Sequence, residues 1–112
     1  MPNNATITVP DGAFGGTVVA TVENAEVPPN GNEGAGIWVS ARCYQGGELV
    51  YGQMAKVVDG QAELTLGPTQ IWQGENPGES GGAAHGEAAV GYWTDNFSRF
   101  RELADTTFEV SA

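Results

Sequence analysis

Gly36-Ile37-Trp38-Val39-Ser40-Ala41-Arg42-Cys43-Tyr44, followed through Gln45-Gly46-Gly47 by Glu48-Leu49-Val50-Tyr51, is the stretch whose reading decides the fold. Ile37, Val39, Ala41 and Cys43 alternate with Trp38, Ser40, Arg42 and Tyr44, and strand side chains point to opposite faces with period two. One face is small and apolar, suited to a core. Gly46-Gly47 offers two residues free to take positive φ, which a tight turn between right-twisted strands requires. The stretch therefore predicts a β-hairpin at the centre of a sheet.

The same alternation extends outward in both directions. Towards the N-terminus, Ala5 to Val9 predicts a strand closed by Pro10-Asp11-Gly12, and Thr17 to Val22 a second strand with Val18, Ala20 and Val22 on one face. Between Glu23 and Ala35, Pro28-Pro29 and Asn30-Gly31-Asn32 interrupt any periodicity and predict a loop of roughly ten residues. Towards the C-terminus, the second strand of the hairpin is expected over Glu48 to Val58 with a break at Gly52. Asp59-Gly60 predicts another hairpin, into a strand over Gln61 to Leu66. Gly67 to Gly86, rich in glycine with Pro68 and Pro77, predicts a long irregular loop around Ile71-Trp72, and such loops often carry contacts. A strand over Glu87 to Thr94 follows, then Arg99 to Leu103 and Thr106 to Ser111 as one bent strand.

About seven or eight short strands separated by regular turn signals, with almost no helical periodicity, predict an all-β fold, an immunoglobulin-like antiparallel β-sandwich, with a barrel as the rival. The Cys-Trp-Cys spacing of antibody domains is absent. At 112 residues the chain is the size of one domain. The division expected is a short N-terminal arm over 1–4 and a sandwich over 5–112.

Composition excludes several function classes. Fourteen acidic against four basic residues give a formal net charge of -10, which repels a phosphate backbone, so no nucleic-acid partner is expected. Hydrophobic residues make up 40%, in runs far short of the ~20 residues that span a bilayer, so no membrane insertion is expected. Met1-Pro2-Asn3-Asn4-Ala5 lacks a basic segment followed by an apolar one, and a chain starting there is expected not to use signal-peptide-dependent secretion.

No enzyme is expected. The one histidine, His85, lies in a glycine-rich stretch, and one His with one Cys cannot supply a zinc site. No nucleophile elbow or phosphate-binding loop is present. Cys43, the one cysteine, reads as a small buried hydrophobe and has no partner for an intrachain disulfide. Calcium could draw oxygen ligands from Glu75, Asn76 and Glu79 or from Asp95 and Asn96, but their spacing matches no EF-hand, and no cofactor or metal is expected.

Aromatic residues are the remaining functional signal. Trp38 and Tyr44 lie on the non-core face of the central strand, and Trp93 opposes Tyr92 on its own. Trp72, Phe97 and Phe100 lie in or beside loops, and Arg99-Phe100-Arg101 places two of the four basic side chains around an aromatic. Exposed aromatics and arginines are enriched at interfaces. Trp72, Phe97, Arg99, Phe100 and Arg101 are therefore the candidate interface residues.

The run from Trp38 to Tyr51, with Leu64-Thr65-Leu66-Gly67-Pro68-Thr69 and Trp72, Gly91-Tyr92-Trp93, and Leu103 to Val110, resembles the small immunoglobulin-like proteins encoded among the structural genes of actinobacterial tailed phages, often called minor tail proteins. The resemblance covers roughly Gly36 to the C-terminus. It implies a virion component assembled in the host cytoplasm that decorates the tail or capsid. Its implied partners are other virion structural proteins and, weakly, host-surface glycans. In that family a second cysteine often lies where this chain has Gly86, Glu87 and Ala88, so Cys43 lacks the mate the resemblance implies. The alternative reading is a carbohydrate- or protein-binding adhesion module that uses loop aromatics.

Overall fold

The computed structural model describes residues 4–67 and 83–112. Among them, eight strands follow one another in the chain: β1 (Thr6–Thr8), β2 (Gly12–Ala13), β3 (Thr17–Glu23), β4 (Ile37–Gln45), β5 (Glu48–Lys56), β6 (Gln61–Thr65), β7 (Ala84–Thr94) and β8 (Arg99–Ser111). They form a three-stranded sheet in the order β1-β3-β6 and a five-stranded sheet in the order β2-β8-β7-β4-β5. The two sheets pack face to face as an all-β sandwich of immunoglobulin-like architecture.

Alternation decides which side of each strand meets the core. In β3, Val18, Ala20 and Val22 are buried while Thr17, Val19, Thr21 and Glu23 are exposed. The β3–β6 register sets Val18 opposite Leu64 and Ala20 opposite Ala62, and β1 adds Ile7 opposite Val22. From the other sheet come Val39, Ala41 and Cys43 of β4, Val90 of β7 and Phe108 of β8. Leu64 and Val90 have no exposed surface. Truncating such a side chain typically costs about 2–5 kcal/mol, because the cavity adds to the lost transfer energy.

The central hairpin forms as predicted. Gln45 faces Glu48, and Gly46 and Gly47 carry φ of 58° and 82°, the left-handed pair of a type I′ turn. Its irregularity lies at Val50 rather than at Gly52: Cys43 faces Tyr51 and Tyr44 faces Leu49, leaving Val50 as the extra residue of a β-bulge. The bulge turns both Val50 and Tyr51 inward, each 1% exposed.

Asp59-Gly60 also turns as expected, with φ of 53° and 76° and a bridge between Val58 and Gln61. The strands it joins do not pair further. β6 pairs with β3 in the opposite sheet, so the turn is a corner between layers and not the bend of a three-stranded meander. Gln53 of β5 spans that corner, its Oε1 accepting the Thr65 N–H at 2.6 Å and its Nε2 donating to the Glu63 carbonyl at 3.4 Å.

The first segment crosses layers too. After Val9 enters the core the chain passes Pro10, which has no N–H for a ladder. β2 then runs parallel to β8, Gly12 facing Val110, so the sandwich is not antiparallel throughout. Asp11 fastens the crossing, its carboxylate accepting the Glu109 N–H at 2.9 Å.

β7 starts earlier than the sequence suggests, because the long β8 supplies partners for Ala84, His85 and Gly86. β8 itself is continuous: Val90 faces Ala104 and Gly91 faces Glu102, so Leu103 is a bulge where a bend was expected. The expected loop before β4 holds a short 3-10 turn at Glu33–Ala35. Cys43 is free and buried, as expected. Gly86 lies directly opposite it, and a Cβ at Gly86 would stand 2.3 Å from the Phe108 ring. The aromatic ring fills the space a cysteine at Gly86 would need. Met1 to Asn3, most of the expected arm, and 68–82, most of the expected loop, lie outside the described residues.

Candidate docking face on the five-stranded sheet

Registers across β8, β7, β4 and β5 determine which residues share the outer face. Trp93 faces Phe100, Gly91 faces both Glu102 and Trp38, Ala89 faces Asp105 and Ser40, and Ser40 faces Met54. The middle strand β7 thus offers only Ala89 and Gly91 at the centre of this face. Neither has height, and their neighbours lean over them. A Cβ at Gly91 would lie 2.9 Å from the Phe100 ring and 2.1 Å from the Arg101 carbonyl oxygen.

Arg42 and Glu102 bridge the same strip. They sit on β4 and β8, which both neighbour β7 but not each other, so their 3.7 Å ion pair straddles β7. Ala89 beneath is only 4% exposed although it faces away from the core. Both charged side chains remain nearly half exposed, and an ion pair of that kind contributes about 0–1 kcal/mol. The pair lines, together with Phe100, Met54, Gln53 and Ser40, a groove of about 470 Å³.

Beyond Phe100 the face continues into the β7–β8 turn. Trp93 packs edge-on against Phe100 with ring centroids 5.3 Å apart, and on its other side meets Phe97 at 6.4 Å. Asp95, Asn96 and Phe97 carry φ of 53°, 56° and 69°, three successive non-glycine residues in the left-handed region. Asp and Asn accept that conformation readily, whereas a bulky residue pays on the order of 1–2 kcal/mol. Ser98 stabilises the turn by donating from Oγ to the Asp95 carbonyl at 2.6 Å. The result is an aromatic strip, Phe97-Trp93-Phe100, with Phe97 still 56% exposed.

Sequence reasoning placed two of the five candidates on this strip, Phe97 and Phe100. Arg99 lies at its edge, paired with Asp95 at 3.5 Å. Arg101 faces Tyr92 and so points to the other side of β8 from Phe100. The basic and aromatic trio is therefore not one surface, because strand alternation separates its members. Trp72 lies outside the described residues. Met54, Glu102 and Trp93 were missed as site residues, and so was Arg42. Its alternation with Trp38 and Ser40 was the available signal.

Elsewhere the chemistry is restrained. His85 Nδ1 lies 2.6 Å from Glu109 Oε2 on the exposed rim of the same sheet. Burial pushes the Cys43 thiol up to about 12, so no thiolate forms at neutral pH, and burial together with the neighbouring Cys43 pushes Tyr51 up to about 12. Among the described residues no group of three or more His, Cys, Asp or Glu could hold a metal ion. Glu75, Asn76 and Glu79 lie outside them. Comparison with protein-family profiles, with curated proteins and with solved structures gives no significant match. The reading of this face therefore rests on its own geometry.

Proposed function

We propose that this chain is a non-catalytic docking module that serves as a structural component of a tailed-phage particle, attaching to other virion proteins through the outer face of the five-stranded sheet. The observation that carries the docking reading is the Phe97-Trp93-Phe100 strip, a row of aromatics with Phe97 exposed and Trp93 and Phe100 half-buried, held on a hydrogen-bonded hairpin. Aromatic side chains on rigid backbone lose little entropy on binding and dominate interface energetics. The virion setting draws on the resemblance of the Trp38 to Tyr51 run to phage minor tail proteins. The acidic surface, with a net charge of -10, suits a protein that must stay off nucleic acid during particle assembly.

Quantitative mass spectrometry of gradient-purified particles tests the setting. Hundreds of copies per particle assign the chain to a head or tail-tube lattice, a few assign it to the tail tip, and absence removes the virion reading. The docking reading is tested separately, by replacing Phe97 with Gly and Phe100 with Ala. Particle occupancy should fall while the sandwich stays folded, and full occupancy by the double variant would sink it.

Phe97 also favours a second reading, a saccharide-binding adhesion module, since an exposed ring beside Asp95 and Asn96 offers both a stacking surface and polar partners. A glycan-array signal lost on Phe97→Gly would support it over protein docking.

A further inference from the structure

We infer that the groove between Phe100 and Met54 receives an extended segment of a partner protein in which a large apolar side chain stands next to a lysine or arginine. This inference rests on the docking reading above and names the chemistry of its partner.

Shape and charge point to the same occupant. The groove volume of about 470 Å³ is at the lower end of the range for ligand pockets, room for one or two side chains and not for a folded element. Its walls are the Phe100 ring and the Met54 thioether, one rigid and one adaptable, which suits an apolar side chain of variable outline. The Arg42–Glu102 pair lines this groove and also a second depression of about 210 Å³, which Glu87 and Asp105 line as well. Three carboxylates there surround one guanidinium. An incoming ammonium or guanidinium meets unbalanced negative charge in the depression that shares Arg42 and Glu102 with the groove.

A second copy of this chain fits poorly. It carries four basic residues, of which Arg42 and Arg99 already face carboxylates, and it would bring its own net charge of -10 to the same surface. Phosphate-bearing ligands are repelled for the same reason. A basic, apolar protein segment is the complement of this face.

The test uses the synthetic peptide acetyl-Ser-Lys-Leu-Lys-Ser-amide with two controls, one with Ala for Leu and one with Glu for both Lys, added to the isotope-labelled full chain and followed by amide chemical shifts. Saturable shifts at Ser40, Met54 and Phe100 are expected, weakened about tenfold by Leu→Ala in the peptide and by Met54→Ala or Phe100→Ala in the protein. Glu102→Gln should weaken binding about threefold and flatten its salt dependence. Met54→Ala keeps the test valid if Phe100→Ala unfolds. Shifts scattered over all acidic residues, equal binding of the Ala control, or concentration-dependent shifts of the same amides without peptide, which would mean a second copy, each overturn the inference. If the peptide fails while Phe97→Gly still lowers particle occupancy, the groove assignment falls and the docking reading stands.

Discussion

On the three-stranded sheet the outward residues include Thr6, Thr8, Thr17, Thr21 and Thr65; on the five-stranded sheet they include Trp38, Arg42, Met54, Trp93, Phe100 and Glu102. Both faces are built on the same alternation over one shared core. In the first, β-branched Thr6, Thr8, Thr17, Val19, Thr21 and Thr65 are interspersed with the longer Glu23, Gln61 and Glu63, and every strand contributes side chains of some height. In the second, Ala89 and Gly91 leave the middle strand bare, and taller neighbours lean across it. The relief of the five-stranded face thus coincides with small residues in a central strand flanked by larger ones.

The largest test of that contrast fills the bare strand. Gly91→Val should displace Phe100 and press on the Arg101 carbonyl, lowering the urea midpoint by an amount equivalent to about 3 kcal/mol, at the upper end of overpacking costs. A loss below about 1 kcal/mol would mean that the ring does not depend on the glycine.

The inner faces differ as well. The five-stranded sheet contributes Cys43 and Tyr51 to the core, whereas the three-stranded sheet contributes only aliphatic side chains there. With the Cys43 thiol raised from 9.0 to about 12, the unfolded chain ionises first as pH rises, so its stabilisation is complete below pH 9.0 and is lost as pH climbs towards about 12. Urea unfolding across that interval should show a fall on the order of a few kcal/mol. Cys43→Ala should make the decline shallower, with Tyr51 responsible for the remaining slope; an unchanged slope would remove the thiol from the account.

A smaller effect separates structure from binding. Phe97→Gly relieves the left-handed strain while losing the Trp93 contact, so thermal stability should stay within about 1 kcal/mol of the parent. Particle occupancy should nonetheless drop. The smallest expected change is on the other face: Val19→Thr, at a position 42% exposed, should alter neither stability by more than about 0.5 kcal/mol nor occupancy. An occupancy loss there would move the docking surface to the three-stranded sheet.

Alternation and turn chemistry were legible in the sequence. The glycine pair after Gln45 and the Ile37 to Cys43 stripe appear in the molecule as they read. The layer crossings were not, because a turn such as Asp59-Gly60 reports local backbone geometry while the strand that captures Gln61 to Thr65 lies some forty residues earlier in the chain. The bulges at Val50 and Leu103 likewise depend on partner strands. For the site, the aromatic residues could be seen but their faces could not all be assigned: Arg101 was grouped with Phe100 although adjacent strand residues point apart. The Arg42–Glu102 pair joins distant segments across a third strand, and no local pattern announces it.

The Gln53 side chain that ties β5 to β6 has a further consequence. By occupying the Thr65 N–H and the Glu63 carbonyl, it removes from the rim of the smaller sheet two of the groups that an incoming strand would have to engage. Molecules crowded together thus have less opportunity to zip into a continuous ladder. Gln53→Ala would reopen that rim, and its first symptom should be turbidity on concentration, before any loss of fold.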